Sequence, residues 1–247
     1  MTGITGAGIA KPYYRIFRSN QNYDAYISDK RYAPDRYFLC RAYSILEQEL
    51  IKIFEYVEPI DGNKNVFSHR IYELLLLACT EFESNCKLIL RANEYNGNRS
   101  NLGIKDYWKI ERATKLSQYQ IRLNIWSSPT NIMRPFREWV NSHSLSWYQD
   151  YNSVKHDRFN NFSKANFWNS IQAVAAVFAI LYAQFSYYIF NPYNESDSST
   201  TDTDGFIYGE RTLFSIKPFD SWPQDEHYVL SWPLNNIEFQ RFDFNKN

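Results

Sequence analysis

Glycine is scarce in this chain, with 8 residues among 247. So few leave little backbone for phosphate-cradling loops, and neither a Walker loop nor a GxGxxG fingerprint occurs. Net charge is missing too: 27 Lys and Arg balance 27 Asp and Glu. That argues against a general nucleic-acid coat, whose affinity comes from excess positive charge, and leaves room only for a local basic site. The cysteines are three, Cys40, Cys79 and Cys86, an odd set without a CxxC pair. Cys79 and Cys86 lie seven apart on an expected helix, sharing a face but too distant to bridge. Reduced thiols in a core, and hence a reducing, cytoplasmic compartment, are the expectation. His69, His143, His156 and His227 fall into no HExxH or other zinc spacing, and no GxSxG occurs, so neither a metal site nor a small-molecule cofactor is expected. Met1 to Ala10 is too short and too polar for a secretory signal and lacks a basic n-region.

What is abundant is aromatic: 20 Tyr, 18 Phe and 7 Trp, within a hydrophobic share of 44%. A large core is therefore affordable, as one domain or one domain with an appendage. After an N-terminal arm over 1–34, Leu39, Tyr43, Leu46, Leu50, Ile53 and Val57 recur at helical spacing and predict a helix over 35–57. Pro59 and Asp61-Gly62 stop it. Phe67-Ser68 reads as a staple and cap for a second helix over 64–92, whose stripe runs through Ile71, Leu75, Ala78, Phe82 and Ile89. Glu83 and Lys87 are expected as an exposed i,i+4 pair, and the two helices as an antiparallel hairpin.

Further on, Tyr119, Ile121, Leu123 and Ile125 alternate with polar residues, predicting one half-buried strand within 117–126. Pro135 to Val140 reads as a short helix and Ser146 to about Phe159 as another. The longest apolar pattern runs from Ser163 to Phe190, and within 173–190 only Gln184 and Ser186 are polar without being aromatic. That length approaches a bilayer span. An Ala-rich first half suited to close packing, and no basic stop-transfer cluster afterwards, favour a central bundle helix and no membrane role. Asn194 to Gly205 reads as a solvated linker. The aromatic and β-branched runs 206–217, 227–232 and 236–244, broken by Pro218, Pro223 and Pro233, read as short strands, with a bulge or bend between Ile237/Phe239 and Phe242/Phe244. The fold class expected is mainly α: an antiparallel bundle over 35–193, with a small accessory β element formed by the 117–126 strand and the C-terminal extension 206–247.

One segment carries the inventory of a reaction: Tyr151-Asn152-Ser153-Val154-Lys155-His156-Asp157-Arg158. Asn152 and His156, at i and i+4, share a helix face, and Lys155 and Arg158 add positive charge within a turn. His moves protons near neutral pH, Asn can orient it, and Lys or Arg can hold a phosphate. The set suits metal-independent RNA cleavage, in which a 2′-hydroxyl attacks the neighbouring phosphate, His156 transfers protons, and Lys155 and Arg158 stabilise phosphate charge. The same residues also fit a plain solvated helix face. Glu81 and Asn85, again i and i+4, are candidate supports from the second helix or ordinary exposed residues.

The order of elements resembles the HEPN superfamily over roughly 35–193: two long antiparallel helices, an irregular stretch, a short helix bearing a polar motif, then a long apolar helix. The family's motif is Arg, often a polar residue next, and His after four to six intervening residues. Asn152 falls on the polar position and His156 on the His, while Tyr151 occupies the Arg position. Lys155, Arg158, Arg134 or Arg137 would have to supply that charge, or else catalysis has been lost and the scaffold kept for binding. The segment from Ser146 to Arg158 also resembles an uncharacterised bacterial family with a Tyr-Asn-x-x-Lys-His-Asp-Arg signature. The resemblance implies an RNA-binding protein or metal-independent endoribonuclease in bacterial phage defence or a toxin-like system, often homodimeric. The alternative is a non-catalytic module that forms a homodimer or docks a protein partner.

Overall fold

The computed structural model describes residues 8–18, 24–98, 101–127, 131–191, 199–210, 212–230 and 237–246. In chain order the helices are α1 (Arg36–Phe54), α2 (His69–Ala92), the single turns α3 (Ile104–Tyr107) and α4 (Glu111–Thr114), α5 (Ser146–His156), the single turn α6 (Arg158–Asn161) and α7 (Phe167–Phe185). Helix accounts for about half of the described residues. The rest includes a five-stranded antiparallel sheet, larger than the small accessory element expected from sequence.

The three long helices form where apolar periodicity puts them, and each end has a chemical cause. The Ser68 hydroxyl caps α2 by accepting from the Ile71 N–H, so the helix starts at His69 rather than at 64. Asn166 caps α7 by accepting from Asn169 N at 2.9 Å. Ser186, at φ 52°, ends α7 at Phe185, and a 3-10 turn continues to Ile189. α2 and α7 make the broadest contact in the molecule, and α1 and α5 each rest on both. Leu46, Leu75, Phe82 and Phe178, all read as core from sequence, are buried. The apolar span Phe167–Ile189 is long enough to cross a membrane, and 89% of its most apolar window is buried inside the molecule. Its alanines let α2 approach closely, and Ser170 answers its own buried hydroxyl by donating to Ile71 O at 3.0 Å.

The strands are β1 (Gln120–Leu123), β2 (Ile132–Met133), β3 (Ser199–Thr201), β4 (Ile207–Gly209) and β5 (Phe214–Lys217), in the order β2-β1-β5-β4-β3. Ile121 pairs with Ile216 and Leu123 with Phe214, so the apolar faces of β1 and β5 coincide. Phe214 then lies 5.8 Å from the Phe178 ring of α7, seating the sheet on the bundle. Two expectations need correction here. The alternating segment begins as a 3-10 turn at Leu116–Gln118 and stops at Leu123, leaving Ile125 half exposed. The stretch read as a linker is partly strand: Ser199–Thr201 pairs with β4, and the Arg122 guanidinium pairs with the Asp202 carboxylate. Residues 194–198 lie outside the described residues. Gly209 permits the close approach of β4 to Phe190, since a Cβ there would meet Phe190 Cβ at 2.6 Å.

The described segments 9–18 and 226–244 are built into the fold rather than appended. Ile9 bridges to Tyr228 and Tyr13 to Gln240, both parallel, and Phe17 N donates to Ala183 O at 2.8 Å. Arg15 is buried, donating to Gln184 Oε1 at 3.3 Å and pairing with Asp35. Of the expected C-terminal strands, 227–230 and 237–246 form isolated bridges to the N-terminal segment in place of regular strands, and 231–236 lies outside the described residues.

Candidate functional site

Helix α5 is fixed by the side of it that carries no chemistry. Trp147, Tyr148, Tyr151 and Val154 are buried. The Trp147 ring stands 5.3 Å from Phe82 on α2, and its Nε1 donates to Pro135 O at 2.8 Å. Buried phenols need acceptors, and one residue of α2 serves two of them. Glu83 Oε1 accepts from Tyr148 Oη at 2.9 Å and from Tyr151 Oη at 3.3 Å, while its other oxygen pairs with Lys87 Nζ at 3.2 Å. Glu83 was expected to be an exposed partner of Lys87. Its side chain is only 16% exposed, because α5 lies over it.

The motif's Tyr is therefore a packing and hydrogen-bonding residue. Burial first, then the Glu83 charge, raise the Tyr151 pKa well above the usual phenol range, so it stays protonated. The same two causes raise Cys79 and Cys86, and burial pushes Cys40 up to about 12; all three are buried, unreactive thiols. Lys155 folds back along its own helix. Its Nζ donates to Tyr151 Oη at 3.0 Å and lies 5.1 Å from that ring, with two ammonium protons left over.

Asn152 and His156 stand on the other side of α5, one turn apart. Asn152 is half-buried and His156 exposed. No hydrogen bond joins them, and neither side chain bonds to any other described residue. The structure thus presents the pair together, but does not show Asn152 orienting the imidazole.

The helix breaks immediately afterwards. Asp157 leaves the helical region at φ −145°, ψ 80°, and its carboxylate caps α6, accepting from Asn160 N at 3.2 Å and Asn160 Nδ2 at 2.7 Å. Those bonds hold its pKa below the usual carboxylate range. The expected continuous helix to Phe159 is thus two helices, and Arg158 opens the second. Its guanidinium carbon sits 5.6 Å from the centroid of Tyr72 on α2, not on the Asn152–His156 face. Asp150, in the first half of α5, accepts from Asn169 Nδ2 at 3.0 Å and ties that helix to the start of α7.

The other sequence candidates lie elsewhere. Asn85 is buried and faces α7, accepting from Gln184 Nε2 at 2.8 Å, while its own Nδ2 returns to Glu81 O. Neither Glu81 nor Asn85 bonds to α5. Arg134 and Arg137 are exposed near the segment that receives Trp147, about 13 Å along α5 from His156 at the helical rise. Among the described residues no group of His, Cys, Asp and Glu could hold a metal. A recess of about 690 Å³ between α1 and α2 is lined by Ile45, Tyr56, Leu77 and neighbours, and contains no motif residue. Sequence reasoning missed Glu83 and Tyr148; the signal was present as two tyrosines at i and i+3 whose hydroxyls needed a buried acceptor.

The fold defines the class only coarsely, a helical bundle carrying a five-stranded antiparallel sheet. Compared with known proteins, the chain matches no family model, no curated protein and no solved structure.

Proposed function

We propose that this protein binds RNA and cleaves it without a metal, in the manner that its HEPN-like order of elements implies. The observation that supports this reading is the pair Asn152 and His156, unpartnered on one accessible face of a helix packed on its other side, with Lys155 turned back to Tyr151 and Arg158 over Tyr72 as the nearest motif cations in sequence. In the proposed reaction the 2′-oxygen attacks phosphorus, the P–O5′ bond breaks, and the 5′-oxygen leaves with a proton. His156 transfers protons, and Lys155 and Arg158 contact phosphate oxygens. A single chain leaves this face open, so a second copy is proposed to close it. A cytoplasmic role in bacterial defence or a toxin-like system belongs to the same proposal.

Incubation of labelled RNA with the purified protein in EDTA tests the reading. Products should end in 2′,3′-cyclic phosphate, and His156→Ala should abolish them while melting at the wild-type temperature. A second reading, a non-catalytic interaction module, draws support from Tyr151, which packs where the resemblance places a cation. Folded protein that binds RNA and leaves it intact would favour that module; protein that neither binds nor cuts RNA would end the RNA proposal.

A further inference from the structure

Next to the motif lies a run of rings that packs on one side against the start of α2 and stays open to solvent on the other. Phe162, in the 3-10 turn Phe162–Lys164 that follows α6, is half-buried. Around it stand His69 at 4.9 Å, Phe67 at 5.6 Å and Tyr72 at 5.9 Å between ring centroids. Arg158 caps the Tyr72 end of the run, and His156 is two residues further back. Phe159, three residues before Phe162 in sequence and in contact with none of these rings, is 95% exposed, and Phe67 is 47% exposed. The backbone holds the two sides together: Phe67 bridges to Asn166, and Phe167 N donates to Val66 O at 2.8 Å.

A lone exposed Phe needs no explanation. Several accessible rings beside a cation make a different surface, because each ring offers a face to a flat partner and the cation selects a negatively charged one. Among biological polymers, single-stranded nucleic acid presents flat bases on a chain of phosphates. We propose that Phe67, His69, Phe159 and Phe162 form a base-stacking subsite for single-stranded RNA, with Arg158 holding the phosphate that leads toward His156. The subsite deepens the RNA reading above and rests on it. It commits the substrate to unpaired RNA, since a base inside a duplex has no free face to offer these rings.

Fluorescence anisotropy with a short 2′-O-methyl oligouridine, which cannot be cut by neighbouring-hydroxyl attack, tests this against an abasic ribose-phosphate oligomer of equal length. Phe159→Ser and Phe67→Ser change exposed rings, and melting curves verify the fold. Each should weaken oligouridine binding about 5- to 150-fold, the range for loss of one stacked base, and leave the abasic oligomer unaffected. The salt dependence of binding should stay as in wild type for these variants, whereas Arg158→Gln should flatten it for both oligomers. Wild-type protein that binds both oligomers equally, or ring variants that bind oligouridine as wild type does, would overturn the subsite and spare the RNA reading. A wild-type dimer that Phe159→Ser dissociates without loss of RNA affinity would assign the rings to a protein contact instead, and also overturn it. Failure of the wild type to bind either oligomer would remove both proposals.

Discussion

Tyr151 illustrates how one position changes meaning once its neighbours are known. Its hydroxyl donates to Glu83 and accepts from Lys155, so Tyr151→Phe removes two bonds and leaves the packing. The expected cost is about 0.5–1.5 kcal/mol, read as a lower urea midpoint. Tyr151→Arg, which would restore the cation of the resembled motif, replaces a buried ring and should destabilise the protein rather than activate it; a well-folded Arg variant with raised cleavage would refute this. Leu75, fully buried on α2, should cost about 2–5 kcal/mol on truncation to Ala in the same measurement. Glu47 gives a prediction in pH. Its Oε1 accepts from Tyr43 Oη at 2.9 Å and from Leu213 N at 3.1 Å, and burial raises its pKa above the usual value. The folded state then holds a proton that the unfolded state has released, so this contribution is present at low pH and lost as pH rises through the raised value. Glu47→Gln keeps the acceptor oxygen. It should make the protein more stable at neutral pH than wild type and flatten that part of the profile. Glu111, raised for the same reason, leaves a residual slope of the same sign.

At the scale of elements, α7 shows composition serving packing. Ala173, Ala175, Ala176, Ala179 and Ala183 are all buried, and small side chains let α2 and the neighbouring helices come close. Ala179→Leu adds volume where no space exists and should cost about 1–3 kcal/mol, measurable by thermal or urea melting. A neutral result would mean that α7 has room to shift. The break between α5 and α6 is the counterpart. Periodicity carries the helix through Phe159, and only the Asp157 carboxylate bonding forward to Asn160 shows why it stops at His156. That break removes Arg158 from the Asn152–His156 face and sets it over Tyr72.

For the whole molecule, the decisive link is the insertion of β5 between β1 and β4. The C-terminal strands thus complete a sheet whose other half comes from 120–133, and Leu213 binds Glu47 of α1 while Phe214 covers Phe178. A chain truncated after residue 205 should fail to melt cooperatively. A truncated bundle with a sharp transition, followed by circular dichroism, would show that the helices stand alone.

The sequence by itself determined the long helices, the buried stripes and the segment worth testing, because those follow from local spacing: apolar residues at 3.6-residue intervals, a Ser cap, an i,i+4 polar pair. Even the phase of β1 was legible in the alternation of Tyr119, Ile121 and Leu123. Tertiary structure alone decided which face of α5 is accessible, that Glu83 lies beneath two tyrosines, and that Asn85 serves α7 rather than the motif. It also decided that an N-terminal segment without periodicity is buried around Arg15. The reason is physical: burial and hydrogen-bond pairing depend on groups distant in sequence, such as Glu83 and Tyr148 or Arg15 and Gln184, and no local pattern records which distant partner will arrive.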